Sequence, residues 1–120
     1  MSDVMGDTAI RVMSSGERDG WSPLVDPPGA IPSPGRETGI FSTAGGAVST
    51  GFWERDPDTW SFERPYDEVA LILDGDADIV TDDGRTLTVG AGDVIVTPKG
   101  SAGRWVIRER IVKFWVIYDG

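Results

Sequence analysis

The stretch DEVALILDGDADIVTDDGRTLTVGAGDVIVTPKGSAGRW, residues 67–105, decides the fold. Its apolar runs are roughly four to eight residues long, the usual length of a β-strand. Asp-Asp-Gly and Pro-Lys-Gly lie between runs, and both are turn signals. Short strands at this regular spacing are typical of a β-sandwich or barrel. We therefore predict an all-β domain.

The same pattern extends to both sides of this stretch. Upstream, GIFST and AVSTGFWE form a predicted hairpin around AGG, and TWSFE is a predicted short strand. Within the stretch, EVALILD is apolar enough to be a central strand that ends at Gly75. Downstream, RWVIRER and IVKFWVIYD are predicted as two further strands.

The first part of the chain has a different composition. The segment SPLVDPPGAIPSPGRETG contains five of the eight prolines, and proline is excluded from helix interiors and central strands. We predict an extended, partly disordered arm over residues 1–36, with one short edge strand within 4–13, and a β-domain over residues 37–120. Three apolar side chains are expected to pin the arm to the domain: Trp21, Leu24 and Ile31.

Composition excludes several classes of function. The 120 residues include no Cys and no His, so zinc, copper and iron lose their usual ligands. Only oxygen ligands remain, which suit Mg²⁺, Mn²⁺ or Ca²⁺. The net charge of −9 argues against nucleic acid and anionic membranes as partners. No apolar run is long enough for a membrane helix, and the first residues lack the pattern of a signal peptide, so we expect a cytoplasmic protein.

Two motifs in residues 62–103 resemble those of the cupin fold, a small jelly-roll barrel. The first cupin motif has two histidines, then a glutamate four residues after the second, then a glycine. Glu68 and Gly75 match the last two, while Phe62 and Arg64 stand where the histidines would be. The second motif has Gly-Asp, a β-run, Pro-x-Gly and a histidine.

In this sequence the second motif is Gly92-Asp93, then Pro98 and Gly100, with Gly103 at the histidine position. Three of the four positions that bind metal in cupins therefore hold other residue types. The resemblance implies a cupin barrel whose cavity holds no transition metal.

Further matches resemble one branch, the cupins related to ureidoglycine aminohydrolase and to the ethanolamine-utilisation cupin. The matching residues are Gly51, Trp53, Glu54, Asp67, Glu68, Trp105 and Lys113. The aminohydrolase is a larger, metal-dependent protein with two cupin domains, so the resemblance does not imply that activity for this chain.

Three charged residues are the main candidates for chemistry. A carboxylate such as Glu68 that faces a barrel interior is costly to bury unless it is paired or binds a ligand. Arg64 either binds an anionic ligand or neutralises Glu68. Strand alternation places Lys113, Trp115 and Ile117 on one face, and if that face lines the cavity, Lys113 is an anion contact or proton donor. The alternative for Lys113 is a solvent-facing lysine.

Aromatic residues are the candidates for the cavity wall. Trp53, Phe62 and Trp105 are predicted to contact a ligand, although each alone also suits a barrel core. Tyr66 lies in the segment RPYD, which interrupts two predicted strands, and it could cover the mouth of the cavity. Glu54 is a weaker ligand-binding candidate, because it alternates with Trp53 and only one of the two can face inward.

Three functional hypotheses follow from these residues. The first is a cupin that binds a small anionic or amide-containing metabolite without a transition metal. The second is an enzyme of the amidohydrolase or lyase kind, with Glu68 as general acid or base and Lys113 or Arg64 stabilising negative charge. The third is an accessory protein whose cavity is filled by its own aromatic side chains. In each case we expect a homodimer, because pairing covers exposed strand edges.

Overall fold

A computed structural model of the protein describes residues 8–24 and 35–120, and nearly all of its regular structure is β-strand. These residues form eight strands and a short 3-10 turn at Ala44–Gly46. The strands are β1 Ser22–Pro23, β2 Gly35–Ser42, β3 Val48–Arg55, β4 Thr59–Glu63, β5 Asp67–Thr81, β6 Thr86–Gly90, β7 Val94–Thr97 and β8 Ala102–Tyr118.

Two long antiparallel strands, β5 and β8, organise the sheet. In one half of the sheet, residues 67–74 of β5 pair with residues 112–118 of β8, and this pair lies between β3 and β7. Strand β2 pairs with the other side of β3, and β1 pairs with β2. The opposite ends of β5 and β8, 76–81 and 103–109, lie between β4 and β6. The apolar EVALILD run therefore forms part of a central strand, as its composition predicts.

The long strands pass from one half of the sheet to the other at Gly75. The β5–β8 register shifts between Ile72 and Ala77, so the strand bulges there without ending. Gly75 has φ of 107°, and a Cβ atom at this position would lie 2.1 Å from the carbonyl oxygen of Arg110. Only glycine fits this bend. The predicted strand end at Gly75 was therefore wrong, because the glycine bends the strand and does not terminate it.

The predicted division between RWVIRER and IVKFWVIYD was also wrong, since both segments belong to β8. The segment contains no turn residue between them. The charged residues 108–110 at the bend are exposed, so the backbone keeps pairing with β5 while their side chains face solvent.

The core lies between the two halves of the sheet. Trp53 and Ile72 from one half pack with Ile79, Trp105 and Ile107 from the other. Trp105 and Ile72 are each 1 % exposed. The halves therefore form the two walls of one jelly-roll-like barrel, as the sequence predicts.

The residues before β2 contact the domain at several places. The Trp21 ring stacks on Phe52 at 5.8 Å between centroids, and Leu24 packs against the core. Residues 8–13 form no strand, so the strand predicted within 4–13 is absent from its described part, and β1 pairs with β2 instead. Ile31 lies outside the described residues. Strand β2 begins at Gly35, slightly before the predicted domain boundary.

No helix among residues 8–24 and 35–120 is long and apolar enough to cross a membrane.

Candidate functional site

A cavity of about 500 Å³ opens from the barrel interior to solvent. It lies between β3, β4 and the ends of β5 and β8 that carry Glu68 and Lys113. Its wall consists of Leu24, Glu37, Trp53, Arg55, Trp60, Ser61, Phe62, Glu63, Arg64, Tyr66, Glu68, Lys113, Trp115 and Ile117. A cavity of this size is sufficient for a small metabolite.

Three buried charges meet in this wall. Lys113 Nζ donates a hydrogen bond of 2.8 Å to Glu68 Oε2, and Arg64 Nη2 lies 3.4 Å from the same oxygen. Lys113, Glu68 and Arg64 are 3 %, 6 % and 6 % exposed. Two cations therefore share one carboxylate oxygen in a largely dehydrated environment, and the buried cluster has an excess of positive charge.

Neighbouring groups fix this cluster. Arg64 Nε donates a hydrogen bond of 3.0 Å to Thr97 Oγ1, and Thr97 lies opposite Glu68 in the β5–β7 register. Burial lowers the pKa of the Lys113 ammonium below its ordinary value, the Glu68 carboxylate opposes this shift, and the Arg64 charge adds to it. Lys113 is therefore easier to deprotonate than a surface lysine.

Aromatic rings surround the Lys113 amine. Its Nζ lies 4.6 Å from the centroid of the Trp53 ring and 5.6 Å from that of Trp105. Trp53 and Phe62 belong to the cavity wall, where they were predicted. Trp105 does not, because it lies deeper in the core behind Lys113. The structure therefore places Trp105 in the core and outside the cavity wall, where its ring packs near the Lys113 amine.

Glu54 lies on the opposite face of the sheet from the cavity. Its two carboxylate oxygens accept hydrogen bonds from Arg18 Nε at 2.8 Å and from Arg36 Nη2 at 2.8 Å. Side chains alternate along β3, so only one of Trp53 and Glu54 can face the cavity. In the structure Trp53 faces the cavity and Glu54 faces the other side of the sheet. The candidate role of Glu54 in ligand binding is corrected: it binds the arm to the sheet.

Tyr66 and Glu37 lie in the more open part of the wall. Tyr66 is partly buried, and burial together with the Glu68 charge raises the pKa of its phenol above the ordinary value. Partial burial also raises the pKa of Glu37, which Lys113 opposes and Glu68 reinforces. These two polar groups are available for a second contact to a ligand whose charged end lies near Lys113.

Several polar residues of the site were not predicted from the sequence: Glu37, Arg55, Ser61, Glu63 and Thr97. Glu37 pairs directly with Trp53 in the β2–β3 register, so the predicted hairpin could have revealed it once the register was known. Arg55 lies over the Trp60 ring at 4.8 Å and binds Asp58. Nothing in the local sequence distinguishes Thr97 from other strand residues.

The cupin metal positions were tested against this geometry. Phe62 and Gly103 pair across β4 and β8, and neither offers a ligand. A Cβ atom at Gly103 would lie 2.6 Å from the carbonyl oxygen of Val80, so a histidine there would require the backbone to shift. Arg64 and Lys113 already contact Glu68, and no cluster of three His, Cys, Asp or Glu occurs in the described part of the chain. These residues do not fit a transition metal.

A family model described as an EutQ-like cupin domain matches residues 42–115, well over half of the chain. The chain belongs to this family. The EutQ-like cupin is 31 % identical over 71 residues to the acetate kinase EutQ of Clostridioides difficile strain 630. That match covers 59 % of this chain and 45 % of the relative, so the chain spans less than half the length of this curated relative.

Solved structures agree with the family. The EutQ protein of Clostridium difficile superposes with a TM-score of 0.61 and 27 % identity, over 70 % of this chain and 67 % of that one. A putative ethanolamine utilization protein Q from Salmonella typhimurium LT2 gives 0.62 and 25 %, over 70 % and 68 %. These similarities confirm the predicted cupin fold and its ethanolamine-utilisation-type branch, and they support a role in small-molecule binding or as an accessory protein.

Proposed function

We propose that this EutQ-like cupin binds a small carboxylate-bearing metabolite in its cavity, with Arg64 and Lys113 contacting the carboxylate. The observation that carries this proposal is the buried cluster in which both cations approach one oxygen of Glu68. Glu68 carries one negative charge against two buried cations, and Glu37, the other carboxylate near Lys113, is exposed. An anionic ligand would place a second negative charge beside the buried cations.

The shape of the site supports binding over a filled, accessory barrel. A cavity of about 500 Å³ remains beside the aromatic residues that could have filled it. Trp53 and Phe62 provide apolar walls, while Tyr66 and Glu37 provide polar atoms at a distance from the cluster. This arrangement suits a ligand with one anionic end and an amide, hydroxyl or ammonium group at the other.

The Clostridioides difficile relative is an acetate kinase by name, which makes acetate the first ligand to test. Acetate is a small carboxylate that can place two oxygens against a guanidinium. The chain spans less than half of that relative, so kinase activity itself is not transferred here. The proposal concerns binding of the carboxylate alone.

Calorimetric titration of the untagged protein with sodium acetate tests the proposal. We expect saturable binding at one site per chain, and we expect Arg64→Gln to weaken it about tenfold or more, because a charge-assisted hydrogen bond is lost.

Arg108→Gln is the matched control. Arg108 is exposed and binds Asp76 and Asp78 on the surface, so the same loss of one positive charge leaves the cavity intact. Acetate affinity should change by less than about twofold in this variant, since distant surface charges are screened. Equal weakening by both substitutions, or acetate binding that is indifferent to Arg64→Gln, would refute a carboxylate site at Arg64.

Pairing of two copies stays a prediction. Strand β7 is an edge strand, and its outward Val94 and Val96 are 60 % and 63 % exposed beside Val69 and Leu71 of β5. Bare apolar side chains at a sheet edge support the homodimer, because such edges are usually covered.

A further inference from the structure

We propose that Lys113 is a nucleophile that condenses with the carbonyl carbon of a small oxo acid to form an imine. This inference rests on the proposed function, because Arg64 would bind the carboxylate of the same ligand. It adds two points: the chemical class of the ligand, an oxo acid, and a covalent step on a named atom.

The position of the amine is the first argument. Lys113 belongs to the cavity wall, and its side chain is almost fully buried, with Nζ against the faces of two indole rings. Imines hydrolyse in water, so a dehydrated pocket favours their formation. A lysine in a hydrophobic pocket beside another cation is the usual setting of an amine nucleophile, and Arg64 is that second cation.

The second argument is a proton acceptor at hydrogen-bond distance. Glu68 Oε2 lies 2.8 Å from Lys113 Nζ and takes one proton from the ammonium, which leaves a neutral amine. The nitrogen lone pair then attacks the carbonyl carbon, and the carbonyl π pair moves to oxygen. One nitrogen proton passes to that oxygen and gives a neutral carbinolamine.

Glu68 next returns its proton to the carbinolamine hydroxyl, which leaves as water while the nitrogen lone pair forms the C=N bond. One ammonium and one carbonyl become one iminium and one water, so atoms and charge balance without an oxidant or reductant. Glu68 ends in its starting state.

The third argument is that the product keeps the positive charge. An iminium at the Nζ position preserves the ion pair with Glu68 and the contacts with the faces of Trp53 and Trp105. Condensation therefore removes none of the electrostatic interactions that stabilise the charged lysine. The lowered pKa of Lys113 is consistent with this role, since it increases the fraction of neutral amine.

Reductive trapping tests the inference. The untagged protein is incubated with pyruvate and sodium cyanoborohydride, then analysed by intact mass and peptide mapping. The chain has two lysines, Lys99 and Lys113, and Lys99 is exposed, so it is an internal control. We expect a single reduced adduct on Lys113, a yield at Lys99 at least about tenfold lower, and inhibition of the Lys113 adduct by acetate.

Two variants separate this inference from the proposed function. Lys113→Arg keeps the positive charge but has no amine that can condense, so it should lose the adduct, while acetate titration of the unmodified protein reports on the carboxylate site by itself. Arg64→Gln should lower the adduct yield with pyruvate more than the yield with acetaldehyde, because acetaldehyde has no carboxylate for Arg64 to bind.

Acetate binding without an adduct on Lys113 would overturn the imine and leave the carboxylate site standing. Labelling shared equally by Lys99 and Lys113 would also overturn it. Loss of both acetate binding and adduct would overturn both proposals. Equal trapping of pyruvate and acetaldehyde by the unmodified protein would overturn the assignment to oxo acids.

Discussion

The two faces of the same sheet each bury a carboxylate between two cations, with different outcomes. On the outer face, Glu54 binds Arg18 through one oxygen and Arg36 through the other, and both arginine side chains reach solvent. On the cavity face, Lys113 and Arg64 approach a single oxygen of Glu68, and all three side chains are buried. Both clusters carry one negative and two positive charges, but water solvates the two arginines of the first, whereas the two cations of the second are buried beside an open cavity.

The difference shows that burial of charge alone does not identify a functional site. Glu54 is as buried as Glu68, at 4 % against 6 % exposed. The two carboxylates differ in which residues bind them and in whether a cavity lies beside them. The Glu54 cluster attaches the arm through Arg18, while the Glu68 cluster adjoins about 500 Å³ of empty volume.

The largest expected effect is a loss of stability when Glu68 or Glu54 is replaced by glutamine, which has no charge. Glu68→Gln leaves two fully buried cations without a counter-charge and should lower the free energy of unfolding by about 3–5 kcal/mol. Glu54→Gln should cost only about 1–2 kcal/mol, because Arg18 and Arg36 can turn to water. Urea denaturation of the two variants checks this, and equal losses would remove the distinction between the clusters.

A smaller effect is expected on the arm. Arg18→Gln removes the 2.8 Å bond to Glu54 and the stacking of the guanidinium 4.3 Å over the Trp21 ring. We expect cleavage by chymotrypsin after Trp21 to accelerate about fivefold, since local opening becomes easier by about 1 kcal/mol. Acetate binding should not change.

Arg85→Gln is the control for the arm experiment, because Arg85 pairs only with exposed Asp83 in the hairpin turn. It should leave the cleavage rate unaltered. If Arg18→Gln weakened acetate binding as much as it loosened the arm, the two faces would be coupled and the comparison would fail.

The smallest effect is electrostatic and uses Tyr66 as a reporter of the cavity. Burial and then the Glu68 charge raise its pKa, so ultraviolet titration, with Tyr66→Phe subtracted, should show a phenol that ionises above the ordinary value of about 10. Glu68→Gln should bring this pKa down by removing a negative charge. Glu54→Gln should not move it, because that carboxylate lies on the other face.

The raised pKa of Tyr66 also determines how this residue's contribution to the free energy of unfolding changes with pH. A raised pKa in the folded state means that the unfolded chain loses the Tyr66 proton first as pH rises. Between the unfolded and folded pKa values the native state binds more protons, so its contribution to stability falls with increasing pH. A Tyr66 that titrated at its ordinary value in the native protein would contradict the described burial.

Much of the fold could be predicted from local pattern. The predicted TWSFE strand coincides with β4, and the hairpin around AGG is present as β2 and β3. The failures were at bends, because Gly75 and the segment before Ile111 change strand direction through long-range pairing that no local signal describes. The contacts of Trp21 and Leu24 with the domain were predicted, whereas their partners Phe52 and Gly35 depend on tertiary structure.

Sequence by itself determined the all-β pattern, the glycine and proline positions of a cupin, and the absence of histidine and cysteine, because these follow from residue type and spacing. It also placed Glu68, Arg64 and Lys113 among the candidates. Tertiary structure decided which faces are inside: it brought Lys113 to Glu68 from a distant strand and turned Glu54 away. The physical reason is that alternation along a strand defines two faces, and only sheet packing decides which face encloses the cavity.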